Sequence, residues 1–314
     1  MSHAFIDLQV NGYAGVDFNR DPLDPQRLRD ACQALAGHGV AAFLPTVISD
    51  APGLMERRIA AIASFRRSGT PASEVIAGLH IEGPFLHDAD GYRGAHPREH
   101  LRPADADLMR RLLDAGEGLV RMVTLSPERD PGCRVIRLLA DRGVLVAAGH
   151  SDASLDQLKA ACDAGLTLFT HLGNGCPMLM HRHDNIIQRA LALRDRLRYT
   201  FIADGVHVPF TALGNYLALA GLERSAVVTD AMSAAGLGPG RHSLGRWSVE
   251  VGEDLAAWAP DRTHLVGSAM TMPQAFDRLV GRLGLSEGEA LRLVRDNPGA
   301  WLGQGLGPGL SGAG

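Results

Sequence analysis

Short runs of aliphatic and β-branched residues recur along the chain, and the stretches between them carry apolar residues at helical spacing. The runs fall at Phe5–Val10, Ala41–Leu44, Val75–Ile81, Leu119–Thr124, Val144–Ala148, Leu166–Phe169, Arg198–Ile202 and Ala226–Val228. Helical periodicity fills Pro25–Gly37, Gly53–Arg67, Ala104–Ala115, Gly132–Arg142, Leu155–Ala164 and Phe210–Ala220. Strands alternating with helices predict a parallel α/β sheet. Their number and the 314-residue length favour a closed (β/α)8 TIM-type barrel over an open doubly wound sheet. No G-x-G-x-x-G follows the first run, which weighs against a dinucleotide site.

The alternation breaks at 241–266. Trp247–Val251 alternates like one arm of a hairpin, with Arg262–Val266 as the other arm. Two helices follow, about Met272–Leu283 and Ser286–Asp296, and then a Pro298–Leu302 turn. The chain therefore reads as one barrel domain over 1–304, a hairpin insertion at 241–266 and a flexible Gly-rich tail over 305–314.

Composition narrows the function. Hydrophobic residues are 46% and charged residues 21%, with a net charge of −4, so the chain can build a core and is no electrostatic nucleic-acid binder. No apolar run reaches the roughly 18 residues of a membrane span, and the first ten residues lack the pattern of a signal peptide. Four cysteines without a CxxC pair read as reduced thiols in a cytoplasmic protein.

In a barrel of this kind reactive groups stand at the C-terminal ends of the strands. Glu82 ends the third run, in Gly78-Leu79-His80-Ile81-Glu82-Gly83-Pro84. His150 follows the fifth and His171 the sixth. Asp204 and His207 follow the seventh, and Asp230 the eighth. Singly, a histidine after a strand is more often a core or capping group, and an aspartate before a helix an N-cap. Together, two histidines and a glutamate at one barrel mouth form a shell for a catalytic divalent ion. Zinc suits this set best, and Fe2+, Co2+ or Mn2+ can take the same donors. An aspartate at a further strand end can take and return a proton.

Nine segments carry a resemblance. They are Asp7-Leu8-Gln9-Val10-Asn11-Gly12, Leu44-Pro45-Thr46, the Glu82 segment through Phe85, Thr124-Leu125-Ser126-Pro127-Glu128, Gly149-His150-Ser151, Thr170-His171-Leu172-Gly173-Asn174, Ala203-Asp204-Gly205-Val206-His207, Val228-Thr229-Asp230-Ala231 and Gly267-Ser268-Ala269-Met270-Thr271-Met272. In order from about residue 6 to Gly303, they resemble the N-acetylglucosamine-6-phosphate deacetylases of the amidohydrolase superfamily. The resemblance implies Glu82, His150 and His171 as metal ligands. It implies Asp230 as the base that takes a proton from the attacking water and then protonates the departing amine. It implies His207 and His96 near the acetyl group, with Gln9 and Ala95 also at the substrate. Asn174, Gly175 and Arg182 match positions that hold the sugar phosphate, and Leu265, Val266 and Gly267 would lie beside the sugar. A homodimer is implied as well.

Three departures from the family qualify the expectation. Many amidohydrolases carry His-x-His at the end of the first strand; here the chain reads Asp7-Leu8-Gln9, which predicts one metal and leaves Asp7 as the candidate for supporting a second. The strands that build a small sandwich domain in the family are absent at both ends, which reads as a single-domain variant. The phosphate-side loop, Gly173-Asn174-Gly175-Cys176-Pro177-Met178 and then His181-Arg182-His183-Asp184-Asn185, differs from the family pattern. Removal of acetyl from an N-acetylated amino-sugar phosphate is therefore the leading reading. The same chemistry on another N-acyl or cyclic amide without phosphate stays open. A non-catalytic sugar-binding barrel is the reading from another class, and the intact four-residue set speaks against it.

Overall fold

The computed structural model describes residues 4–244, 247–253, 255–258 and 265–303. Its centre is a parallel sheet of eight strands in sequence order: β1 (Phe5–Val10), β2 (Val40–Ile48), β3 (Leu79–Glu82), β4 (Val120–Leu125), β5 (Leu145–Ala148), β6 (Leu166–Phe169), β7 (Arg198–Ile202) and β8 (Ser225–Val228). Val10, the last residue of β1, bridges Ala231, just past β8, in parallel and brings the two strands together, so the ring is nearly closed. A helix of the outer layer follows each strand: α1 (Pro25–Gly37), α2 (Pro52–Arg67), α3 (Ala106–Ala115), α4 (Arg134–Ala140), α5 (Leu155–Asp163), α6 (Ile186–Leu191), α7 (Phe210–Ala220) and α8 (Met272–Leu283).

Local sequence explains these helices. The Asp24 side chain caps α1 by accepting from the Gln26 N–H at 2.8 Å, and a proline opens the first turn. Leu28, Ala31, Cys32 and Leu35 then form one buried stripe against the sheet. In α8 a Thr271–Gln274 capping box starts the helix and Gly284, at φ 71°, ends it. Met272, Ala275, Phe276 and Leu279 repeat the same spacing. Truncating a fully buried leucine such as Leu279 costs about 2–5 kcal/mol.

The barrel interior is polar near its mouth. Thr46 Oγ1 accepts from the Val10 N–H at 3.1 Å and lies 3.3 Å from His80 Nδ1. His80 Nε2 is 2.8 Å from Thr124 Oγ1. Thr170 and Thr200 pair through their hydroxyls at 3.3 Å. Burial pushes His80 down to about 4, against the opposing pull of the Glu82 charge, so its ring is neutral and bonds to hydroxyls. Residues two apart on a strand share a face, and so His80 and Glu82, like Asp7 and Gln9, belong to successive layers of one interior.

Three expectations need correction. The segment read as a hairpin is a four-stranded antiparallel sheet: β9 (Gly240–Leu244), β10 (Trp247–Val251), β11 (Ala256–Trp258) and β12 (Leu265–Ser268). β10 pairs with β9 and β11, and the second arm pairs with β11 instead of β10. Two extra strands fit because each needs only a few residues. The third barrel strand is shorter than Val75–Ile81 suggests, since Pro71–Glu74 forms a helical turn and only Ile76 bridges Phe43 before β3 begins. The helix read over Ser286–Asp296 divides into Glu287–Leu291 and a π-helical turn, Arg292–Asp296, and the chain continues helical through Asn297–Gly303. The Asn297 side chain donates to the Leu222 and Ser225 carbonyls and ties this end to the base of β8. The tail read as flexible, 305–314, lies outside the described residues.

Candidate metal centre and catalytic site

Glu82 is the last residue of β3, and His150 and His171 stand two residues past β5 and β6. All three are buried, and one ligand atom from each lies within 4.8 Å of the others. Glu82 Oε1 is 3.0 Å from His171 Nε2 and 3.4 Å from His150 Nε2. His150 Nδ1 donates to the Tyr92 carbonyl at 2.7 Å, which fixes the tautomer and leaves the Nε2 lone pair for a ligand. His171 Nδ1, the ring nitrogen turned away from Glu82, is buried with no hydrogen bond among the described residues. Burial works to raise the Glu82 carboxyl, but hydrogen bonds from His150, His171 and His96 overcome it and hold the group well below the usual range. Two imidazoles and an ionised carboxylate converging in a buried pocket are a fitting donor set for a divalent ion.

Backbone geometry aims these side chains. His150, His171 and Asp230 adopt left-handed conformations, with φ of 51°, 29° and 48°. Each such residue costs on the order of 1–3 kcal/mol and persists only where its surroundings over-determine it. All three follow barrel strands at the same pole.

Asp230 is joined to the metal trio through β1. Gln9 Nε2 donates to Glu82 Oε1 at 3.1 Å and to Asp230 Oδ1 at 3.0 Å. The Thr170 hydroxyl donates to Gln9 Oε1 at 2.9 Å, which orients the amide. Asn11 Nδ2 adds a third link, 2.7 Å to Asp230 Oδ1. The pair that faces the site is therefore Gln9 and Asn11, one step further along the strand than the Asp7 and Gln9 pair expected from sequence. Sequence reasoning misses Asn11, although its place two residues past Gln9 is the available signal. Asp7 is fully buried and spends its carboxylate on Thr229 and the Gln9 backbone, so it stands apart from the metal group.

Known proteins resemble this chain over nearly all of its length. No family model matches the chain. The human N-acetylglucosamine-6-phosphate deacetylase is 36% identical over 96% of this chain and 74% of its own length. The N-acetylgalactosamine-6-phosphate deacetylase of Escherichia coli O157:H7 is 32% identical over 96% and 77%. Among solved structures, a mutant of the Mycobacterium smegmatis N-acetyl-D-glucosamine-6-phosphate deacetylase in complex with N-acetyl-D-glucosamine-6-phosphate superposes with a TM-score of 0.84 at 32% identity, covering 96% of this chain and 77% of the other. The chain belongs to the N-acetylglucosamine-6-phosphate deacetylase family.

Other residues of this deacetylase barrel fall into two groups. His96 comes closer to the ligands than a purely substrate-side residue would. Its Nε2 is 3.6 Å from Glu82 Oε2, its Nδ1 is 2.9 Å from Ser49 Oγ, and its ring centre is 4.7 Å from that of His150. Burial pushes its pKa down, partly opposed by Glu82. His207 Nδ1 is 2.5 Å from Asp204 Oδ2, and Asp204 also accepts from the Val206 and His207 N–H groups. Burial alone would raise Asp204, but the His207 bond and charge bring it below the usual range, leaving an ionised partner behind the ring. Gly267, at φ 119°, packs on Met232, and the neighbouring Ser268 N–H donates to the Asp230 carbonyl, so β12 runs past the candidate base.

The second group lies on the loops. Asn174 donates through its backbone and side chain to the His171 carbonyl. Ala95 is exposed beside His96. Arg182 is exposed and makes no hydrogen bond or ion pair among the described residues. Gly175, at φ 61°, lies against His150: a Cβ there would stand 2.9 Å from His150 Nδ1 and 3.2 Å from its Cα. Gly175→Ala should push His150 off its place and weaken metal affinity by about 10–100-fold, the scale seen when a group supporting a ligand is lost. Competition with a chromophoric chelator measures this, and native affinity would contradict the packing role.

Proposed function

We propose that the chain hydrolyses N-acetylglucosamine 6-phosphate to glucosamine 6-phosphate and acetate. The observation that carries this reading is the buried Glu82, His150 and His171 trio linked through Gln9 to Asp230. Glu82, His150 and His171 would hold one divalent ion, zinc in first place and Fe2+, Co2+ or Mn2+ as alternatives. When bound, such an ion supplies Lewis-acid polarisation and makes water acidic enough to give up a proton near neutrality.

The chain's own groups supply the rest. Gln9 and Asn11 both donate to Asp230 Oδ1, so Oδ2 is the oxygen without a hydrogen bond among the described residues and is the one that takes the proton. An amide nitrogen leaves only as an amine, and protonated Asp230 returns the proton there. His207, backed by Asp204, presents Nε2 toward the acetyl carbonyl, and His96, held between Ser49 and Glu82, lines the acetyl side of the site. Asn174, Gly175 and Arg182 hold the phosphate end, and the Leu265, Val266 and Gly267 segment passes beside the sugar, together with Gln9 and Ala95. Four free cysteines support a cytoplasmic location, and the family resemblance supports a homodimer.

The departure of the 173–185 loop from the family pattern and the exposed Arg182 keep a second reading in play, the same chemistry on another N-acyl or cyclic amide without phosphate. Acetate release from N-acetylglucosamine 6-phosphate against the unphosphorylated sugar tests the two directly. Arg182→Ala should raise KM for the phosphorylated substrate by about 1.5–3 kcal/mol in binding terms, the value of a charge-assisted contact. KM for the unphosphorylated sugar should barely move. Equal effects on both would remove Arg182 from the phosphate site.

A further inference from the structure

Asp7 is a buried carboxylate that neither binds the metal trio nor faces solvent. Its two oxygens are taken up by one short segment and its own strand. Oδ1 accepts from the Thr229 N–H at 3.2 Å and from the Gln9 N–H at 3.2 Å. Oδ2 accepts from the Thr229 hydroxyl at 2.5 Å. That hydroxyl oxygen in turn accepts from the Ala231 N–H at 3.2 Å. Thr229 therefore spans Asp230, gripping the residue after it while Asp7 grips Thr229. The Ala231 carbonyl is held in its turn by the Asn11 and Gly12 N–H groups at 2.7 and 3.1 Å.

Between these anchors sits Asp230 in a left-handed conformation, φ 48°. An aspartate there relaxes toward the common backbone regions unless both neighbours are fixed. Asp7 and Gln9 on the inner face of β1, and Asn11 just past its end, have separate roles. Asp7 fixes the backbone on either side of Asp230, and Gln9 and Asn11 fix its carboxylate.

We infer that Asp7, acting through the Thr229 hydroxyl, is a positioning residue that holds Asp230 at the angle from which it exchanges its proton with the substrate. The inference rests on the reading of Asp230 as proton carrier. The pair touches neither substrate nor metal, so its loss acts on the proton step and spares binding.

Thr229→Val removes the hydroxyl at nearly constant volume, and Thr229→Ser keeps it. Steady-state kinetics on metal-loaded protein, with N-acetylglucosamine 6-phosphate as substrate, should show kcat of Thr229→Val lowered by about 10–100-fold, the scale of an ångström-sized misplacement. KM and metal content per chain should stay native, and Thr229→Ser should recover most of the loss. In a double-mutant cycle, Asp7→Ala should lower kcat in the native background and by a clearly smaller factor once Val stands at 229, where Asp7 keeps only its backbone partners. If Asp7→Ala fails to fold, the Val and Ser pair decides alone. Native kcat in Thr229→Val overturns the inference. So does an equal loss in Val and Ser, or a loss explained wholly by lower metal content and melting temperature. Asp230→Asn separates the two levels: if it is inactive while Thr229→Val is fully active, only the positioning role fails. If Asp230→Asn turns over normally, the proton-carrier reading fails and takes the positioning role with it.

Discussion

Asp230→Asn is expected to lower kcat by about 10²–10⁴ while the protein folds and keeps its metal. Asparagine has nearly the same volume, and its carbonyl oxygen can still accept from the Gln9 and Asn11 amides that now meet Asp230 Oδ1. The remaining position becomes an NH2 group, which cannot take a proton from water or return one to the amine. Substrate binding should change little, because Asp230 is assigned to the proton and not to the sugar or the phosphate. Acetate release and elemental analysis on the same preparation check both halves. Near-native turnover would remove Asp230 as proton carrier. Loss of metal together with activity would make it a ligand.

How much of this is legible in the sequence depends on the distance over which each contact acts. The strand ends are readable because a barrel gives its strands one polarity, so Glu82, His150, His171 and Asp230 can be placed at one mouth without knowing any side-chain contact. The positions of β1, β6 and β7 follow directly from their apolar runs. The short α6, six residues capped by Asn185, is too brief to announce itself by periodicity.

The pairings inside the mouth lie beyond sequence reading. Asp7 meets Thr229 across 222 positions, and Gln9 meets Asp230 across 221. A residue's type at the end of β1 says that it is polar, but only the closure of the ring says which carboxylate or amide lies opposite. The same limit places the second-metal question on Asp7, when the strand's alternation puts Gln9 and Asn11 at the site and Asp7 one layer below. His96 is a third case: its loop position gives no sign that its ring stands against Glu82. The sheet over 240–268 reads as a hairpin in sequence because three- to five-residue strands carry too little alternation to be counted.

Glu82→Gln is expected to be the most damaging change in the molecule. The substitution keeps shape and removes a charge on which three imidazoles converge, His171 at 3.0 Å, His150 at 3.4 Å and His96 at 3.6 Å. A neutral amide is a poor ligand for a divalent ion, and one of its two polar atoms is an NH2 that faces the ring nitrogens as a competing donor. It also faces the Gln9 NH2, which now donates to Glu82 Oε1, so the link to Asp230 is disturbed as well. The ion's contribution of several kcal/mol should go with it, which lowers kcat by about 10³ or more. Elemental analysis should find one equivalent of metal in the native chain and in Asp230→Asn, and well below one in Glu82→Gln. Chelation followed by added zinc should restore the native chain and leave Glu82→Gln inactive. The contrast between the two variants is the decisive feature, since both delete one carboxylate from the same mouth: one should lose the proton step with the metal in place, the other the metal itself. A Glu82→Gln protein that bound one equivalent with native affinity would mean that the ion is held elsewhere, and two equivalents in the native chain would reopen the second site on β1.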